Sequence, residues 1–264
     1  MSVNWISRGR RPEITIITAS DATEQEKYAA SELRNYLNFI TSAVLPVGDE
    51  RTPGPVIAVG KAAARLGITP GAELGDDGFT IRTVGDNLAI VGGKRGVIYG
   101  VYEFLEKLGC RFFTPTCEKI PLILDFELPN IDETQVPVLE YRCHNYIDFR
   151  KYPRFAVKNR LNGSIPIKEK FGGHLSYAWF VHTFEHILNP DEWFDEHPEY
   201  FSMVNGKRIK ELTQLCLSNP DVLRITIDKV KAALRENPEA RLISVSQNDW
   251  TNPCMCPECR RIDE

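Results

Sequence analysis

The chain has 264 residues, with 32 basic and 36 acidic side chains and a net charge of −4. That balance argues against a nucleic-acid or anionic-membrane partner, because both want a basic face. A hydrophobic share of 42 % is enough for a real core and argues against global disorder.

No apolar run approaches the roughly 20 residues of a membrane helix. The N-terminus MSVNWISRGRRPEITII carries no apolar export segment. The expectation is a soluble, unexported chain, although a domain cut from a longer exported parent reads the same way. The length suits two ordinary domains or one large one.

In chain order, the β-branched run Glu13–Thr18 predicts a strand. Ala22–Ile40 predicts a helix, with Tyr28, Leu33, Tyr36, Leu37 and Ile40 on one side and Asp21, Glu24 and Glu26 near its positive end. Pro55–Gly60 reads as a strand, and KAAARLG as a short helix closed by Gly67. Phe79–Val84 and Leu88–Val91 form a hairpin around a Gly-Asp-Asn turn. Arg95–Gly109 is an amphipathic helix burying Val97, Val101, Phe104, Leu105 and Leu108. The GGKRG glycines fit neither a P-loop nor a dinucleotide fingerprint and read as a tight turn into that helix. This order of elements predicts an α/β sandwich.

The stretch GFTIRTVGDNLAIVGGKRGVIYGVYEFLEKLGCRFFTP followed by KIP resembles the N-terminal domain of α-glucuronidases and β-hexosaminidases. The resemblance implies accessory, non-catalytic structure ahead of a (β/α)8 barrel.

Residues 121–138, rich in proline and acids with a short strand Ile123–Leu128, read as a boundary. The expected domains are 1–130 and 131–264. Beyond the boundary, strands are predicted at Leu139–Tyr146, Leu161–Ile165, Gln214–Leu217 and Leu242–Ser246. A short helix ends near Asn162-Gly163, and 163–190 reads as a long loop. A hairpin turns at Asn205-Gly206. Pro220 opens a helix with apolar Val222, Ile225, Ile227, Val230 and Leu234.

Alternating strands and helices predict parallel βα units. A full barrel takes about 250 residues, more than remain here. The expectation is therefore the first half of a (β/α)8 barrel, truncated, with an unpaired edge and a C-terminal half missing as its partner. The motifs HTFEHIL, HPEYFSMVNGKR, QLCLSNPDV, SVSQNDW and C-x-C-P-x-C resemble, in that order, a bacterial domain-of-unknown-function family, number 4838. That family commonly carries the glucuronidase-like N-terminal domain, and its activity is inferred from barrel analogy.

Barrel enzymes place active groups at strand C-termini. Asn248 and Asp249 end the last predicted strand, so Asp249 is a candidate acid or orienting residue; a helix-cap or turn role is the plainer reading. Hydrolysis of a glycoside needs a second carboxylate, which such barrels keep on later strands. Arg142 offers bidentate binding of a sugar carboxylate or sulfate, or a buried structural ion pair. His144, His174 and His182 are candidate pocket residues, each weighed against a structural role. Trp179, with Tyr177 and Phe180, offers an aromatic platform or core packing. His197 reads as a turn residue.

Of the seven cysteines, the scattered Cys110, Cys117, Cys143 and Cys216 read as small buried hydrophobes. Cys254, Cys256 and Cys259, with Cys216 as the fourth ligand, admit a structural zinc site; reduced thiols or one disulfide are the alternatives. No cofactor is otherwise required. The leading expectation is a fragment of a glycoside hydrolase acting on a carbohydrate, inactive alone. Its rivals are a non-catalytic carbohydrate-binding or structural module with a zinc-braced loop, and a pseudo-enzyme.

Overall fold

Short β-branched runs build a mixed sheet when their partners flank them on both sides. The computed structural model, which describes residues 4–264, shows this in its first half. Strands β1 (Thr15–Ile17), β2 (Val47–Gly48), β3 (Val56–Val59), β4 (Phe79–Val84), β5 (Asn87–Gly92) and β6 (Asp132–Gln135) pair in the order β6-β4-β5-β3-β1-β2. The β2, β1, β3 and β5 contacts are parallel, whereas β4 pairs antiparallel with β5 and with β6.

Side-chain alternation splits the core across the sheet. Ile16, Ile57, Val59, Leu88 and Ile90 join one cluster with helices α1 (Glu24–Thr41) and α2 (Gly96–Lys107). Their neighbours Ile17, Val56, Ala58, Ala89 and Val91 face a 3-10 turn, Gly60–Leu66. Helix α1 starts in a capping box: Thr23 Oγ1 accepts from the Glu26 N–H at 3.2 Å, and Glu26 accepts from the Thr23 N–H at 2.8 Å. Gly93 and Gly96 lie where a Cβ would strike the carbonyls of Gly75 and Gly78, so the GGKRG glycines serve close backbone approach.

The chain forms two compact units, Met1–His174 and Leu175–Glu264. This division differs from the expected boundary near residue 130. Residues beyond it still feed the first core: helix α3 (Pro153–Lys158) contributes Phe155, Ala156 and Val157, and Ile165 and Ile167 follow.

The second unit packs Phe184, Ile187, Leu188, Tyr200, Phe201, Leu215 and Val222 into its own core. Its hairpin of β7 (Met203–Val204) and β8 (Lys207–Arg208) turns at Asn205 and Gly206, with φ of 50° and 77°, the positive values a two-residue hairpin demands. Helix α4 (Pro220–Glu236) is capped by Asn219, whose Oδ1 accepts from Asp221 and Val222. Only Val222 and Ala233 of α4 are buried; Ile227 and Leu234 stay exposed. Helix α5 (Pro257–Asp263) ends the chain.

The four predicted barrel strands do not form ladders among the described residues. Leu139–Tyr146 is irregular, and Leu161–Ile165 is not a strand. Leu215 makes one antiparallel bridge to Phe201. Leu242 bridges Tyr177 in parallel, and backbone bonds Ala178 N–H to Leu242 O and Ser244 N–H to Trp179 O extend that pairing. The partner of 242–246 is thus a segment read from sequence as loop. No closed barrel is found among the described residues. Apolar alternation reports burial, whereas a ladder needs a neighbour that the pattern does not name. Among the described residues, no helix is long and apolar enough to cross a membrane.

Candidate functional site

Asp249 faces outward from a tightly held turn. Its carboxylate side chain is 86 % exposed, while its two neighbours are turned inward. Asn248 is buried, and its Nδ2 donates to the Thr213 carbonyl at 3.2 Å. Trp250 Nε1 donates to that same carbonyl at 2.8 Å. Gln214, itself buried, completes the hold. Its Nε2 donates to the carbonyls of Asn248 (2.9 Å) and Trp250 (2.7 Å), and its Oε1 accepts the Asn248 N–H (2.9 Å). The side-chain amide thus acts as a strand partner to the residues flanking Asp249. Asn248, expected to face a ligand, is instead a structural residue here, because its amide is spent on the backbone.

His182 stands beside this turn. Its Nε2 lies 4.0 Å from Asp249 Oδ2. Its backbone adopts φ 57°, a left-handed conformation that costs a non-glycine residue of order 1–3 kcal/mol and clusters at functional sites. The strain is held by the His182 N–H donating to Ser246 Oγ (3.0 Å) and by Thr183, whose Oγ1 accepts from the Ser246 N–H (3.0 Å). His182 Nδ1 lies 3.2 Å from the Gln247 carbonyl. A carbonyl only accepts, so Nδ1 is the donor wherever that contact is a hydrogen bond, and Nε2 faces Asp249. Trp179 packs partly buried against the second core and stacks on His186 at 5.8 Å. Phe180 remains exposed, edge-on to Tyr177 at 5.1 Å. An exposed imidazole, carboxylate and aromatic ring within one unit can hydrogen-bond hydroxyls and cover a sugar face.

The remaining candidates fall in the first unit. Arg142 is committed to protein: Nη2 pairs with Asp77 at 3.0 Å, Nε donates to the Arg160 carbonyl at 2.8 Å, and Nη1 donates to the Leu139 carbonyl at 2.7 Å. The structural ion pair weighed for it is the geometry observed. Asp77 also accepts from Asn162 Nδ2 (2.7 Å) and pairs with the buried Arg95. His144 is exposed and stacks on Tyr146 at 4.2 Å, with its Nδ1 accepting the Tyr146 N–H. His174 is exposed, with Nδ1 3.4 Å from the Ile167 carbonyl. Thr213, Gln214 and Trp250 carry no sequence signal for their roles, which arise from contacts 34 to 37 residues apart.

Cys216, Cys254, Cys256 and Cys259 converge: all four are buried, and their sulfurs lie within 4.8 Å of one another. Cys216 Sγ is 3.7 Å from Cys256 Sγ and 3.8 Å from Cys259 Sγ. A tetrahedron with metal–sulfur bonds of about 2.3 Å has edges of about 3.8 Å, so this spacing suits one ion. Donors surround the sulfurs. The Met203 N–H and Arg208 Nη1 reach Cys254 Sγ at 3.4 Å, and the Cys259 N–H reaches Cys256 Sγ at 3.5 Å. Burial works to raise the Cys256 thiol pKa, but the Cys259 N–H and Ser218 hydroxyl outweigh it and draw the value down to about 6. Burial pushes Cys254 up to about 12. Of the other cysteines, Cys110 is buried as expected, whereas Cys117 is exposed and Cys143 is half-buried.

A model of the glycosyl hydrolase family 67 N-terminus matches residues 8–104, and the domain of unknown function DUF4838 matches residues 112–264. No curated protein matches. Among solved structures, a family GH115 4-O-methyl-α-glucuronidase with specificity for decorated arabinogalactans is similar at TM-score 0.55 and 15 % identity, over 90 % of this chain and 41 % of that one. A GH138 enzyme targeting pectin rhamnogalacturonan II aligns at TM-score 0.39 and 15 % identity, over 89 % of this chain and 31 % of that one. A Streptomyces coelicolor GH20 β-N-acetylhexosaminidase aligns at 0.38 and 14 %, over 86 % and 43 %. The chain thus spans less than half the length of each, and the first likeness is one of fold. Because the DUF4838 match covers more than half of its residues, the chain belongs to that domain-of-unknown-function family.

Proposed function

We propose that the protein is carbohydrate-active and glycoside-hydrolase-like, and that its Leu175–Glu264 unit presents Asp249 and His182 to a saccharide. One observation carries this reading. Buried polar groups hold Asp249 out into solvent, beside a histidine kept in a strained conformation. Such strain clusters at functional sites. The glycosyl hydrolase family match and the GH115-like fold are consistent with it.

In this reading Asp249 is the acid or orienting carboxylate, and the second carboxylate that glycoside hydrolysis needs lies outside this pair. The parallel pairing of 176–179 with 242–244 supports reading the second unit as part of a (β/α)8 barrel. The two family matches meet between residues 104 and 112, which supports an accessory α/β domain followed by a distinct second one. The metal is zinc, bound by Cys216, Cys254, Cys256 and Cys259. Four thiolates leave no open position, so its role is structural. Alone, the chain binds without hydrolysing.

Decorated arabinogalactan, the polysaccharide class named for the GH115 neighbour, is the first ligand to test. In affinity gel electrophoresis the chain should be retarded, and Asp249→Asn and His182→Ala should each weaken the retardation about tenfold or more. Retardation unchanged in both variants refutes the site.

A further inference from the structure

Leu215 points into the second core, so the residues on either side of it point the other way. Those residues are Gln214 and Cys216, and both reach the same downstream segment. Gln214 grips the backbone of Asn248 and Trp250. Cys216 meets Cys256 and Cys259. Two alternate side chains of one run therefore pin the segment at its start and its end, with Asp249 between the first pair of grips.

The span between the pins is also tied to the hairpin side. Ser202 Oγ donates to the Asn252 carbonyl at 2.7 Å, Asn252 Nδ2 donates to the Leu212 carbonyl at 2.9 Å, and the Met255 N–H donates to the Met203 carbonyl at 2.8 Å. Ser202 Oγ also accepts the Gln214 N–H at 3.1 Å, so the two sets of ties meet.

We infer that Gln214 is a positioning residue for Asp249, and that metal loading of the four-cysteine centre governs that positioning. The inference rests on the proposed reading of Asp249 as the ligand-facing group. Four buried sulfurs without an ion have only weak attractions to hold them together, while one ion bonds all four. Metal then fixes the register of the 214–216 run against 248–259. That register decides whether the Gln214 amide meets Asn248 and Trp250. Losing it frees the turn and leaves a buried amide unpaired.

Amide hydrogen exchange tests this without relying on activity, since the Asn248 N–H is one of the bonds in question. Gln214→Met keeps the volume and removes the amide. It should retain about one zinc per chain, because no ligand is touched. Exchange in peptides covering 247–252 should speed up about tenfold or more, with α4 unchanged. Arabinogalactan retardation should fall as it does in Asp249→Asn.

Stripping the unmutated chain with 1,10-phenanthroline under reducing conditions should speed the same peptides, and one equivalent of Zn²⁺ should restore them. Exchange within about twofold of the native chain in Gln214→Met, or after stripping, overturns the inference. So does a native chain carrying less than roughly 0.2 equivalents of metal. If no saccharide binds even the native chain, the functional reading fails, while the exchange results still decide whether Gln214 and metal position the turn.

Discussion

Asp77 is the most informative residue to remove from the first unit. Its carboxylate accepts from Arg142 Nη2 at 3.0 Å and Asn162 Nδ2 at 2.7 Å, and it pairs with Arg95 Nε. The Arg95 side chain is 5 % exposed and that of Asp77 is 12 % exposed. Asp77→Ala leaves Arg95 with Asp76, a half-exposed partner at 3.2 Å, and a distant Gly172 carbonyl. Breaking a buried pair from one side costs about 3–5 kcal/mol, because the surviving charge stays desolvated. For a unit of this size each kcal/mol moves Tm by about 2–4 °C, so the midpoint should fall by about 6–20 °C. Differential scanning calorimetry measures this. Asp132→Ala is the control: its pair with Arg82 is 41 % and 68 % exposed, so the loss should stay below about 1 kcal/mol. A fall of less than about 2 °C in Asp77→Ala would refute the claim that this cluster locks residues 142–172 onto the α/β core. The same variant bears on Arg142, whose guanidinium would be released only if the ion pair is what engages it.

Thr23→Ala should cost about 1 kcal/mol in urea unfolding, since it removes one arm of the capping box; a change near zero would mean the helix start is held elsewhere. Lys107 Nζ, 2.6 Å from Glu133, and the Gln135 amide hold the Glu133 carboxyl below its ordinary 4.5. A lowered folded-state pKa stabilises fully above about pH 4.5, and this contribution is lost as pH falls through the folded value. Glu133→Gln should therefore reduce stability at pH 7 and flatten the acid limb, read from urea midpoints at pH 7 and about pH 3; equal losses at both would contradict the sign. Elemental analysis should find about one zinc per chain, and Cys256→Ser should lose most of it; full retention would exclude Cys256 as a ligand.

Local chemistry made part of this protein legible from its residues. Helix α1 shows its apolar side in the spacing of Leu33, Tyr36, Leu37 and Ile40, and its start in the acidic residues around Thr23. The hairpin at Asn205-Gly206 is legible because few residue types tolerate two successive positive φ values. Both depend on residues a few positions apart. The cysteine spacing C-x-C-x-x-C marked three candidate ligands by proximity, and Cys216 joined them only through the expected neighbourhood of its run.

What tertiary structure alone decided lies at longer range. The apolar runs at Leu139–Tyr146 and Gln214–Leu217 pattern like strands, yet the first is irregular and the second makes a single antiparallel bridge, Leu215 to Phe201, rather than a parallel ladder. Arg142 turns to Asp77, 65 residues away, and Asn248 turns inward to Thr213, 35 residues away. A side chain's donors go to whichever acceptors the fold brings near. Periodicity records only which face is apolar, so the hold on Asp249 became visible when Gln214 and Asn248 met in space.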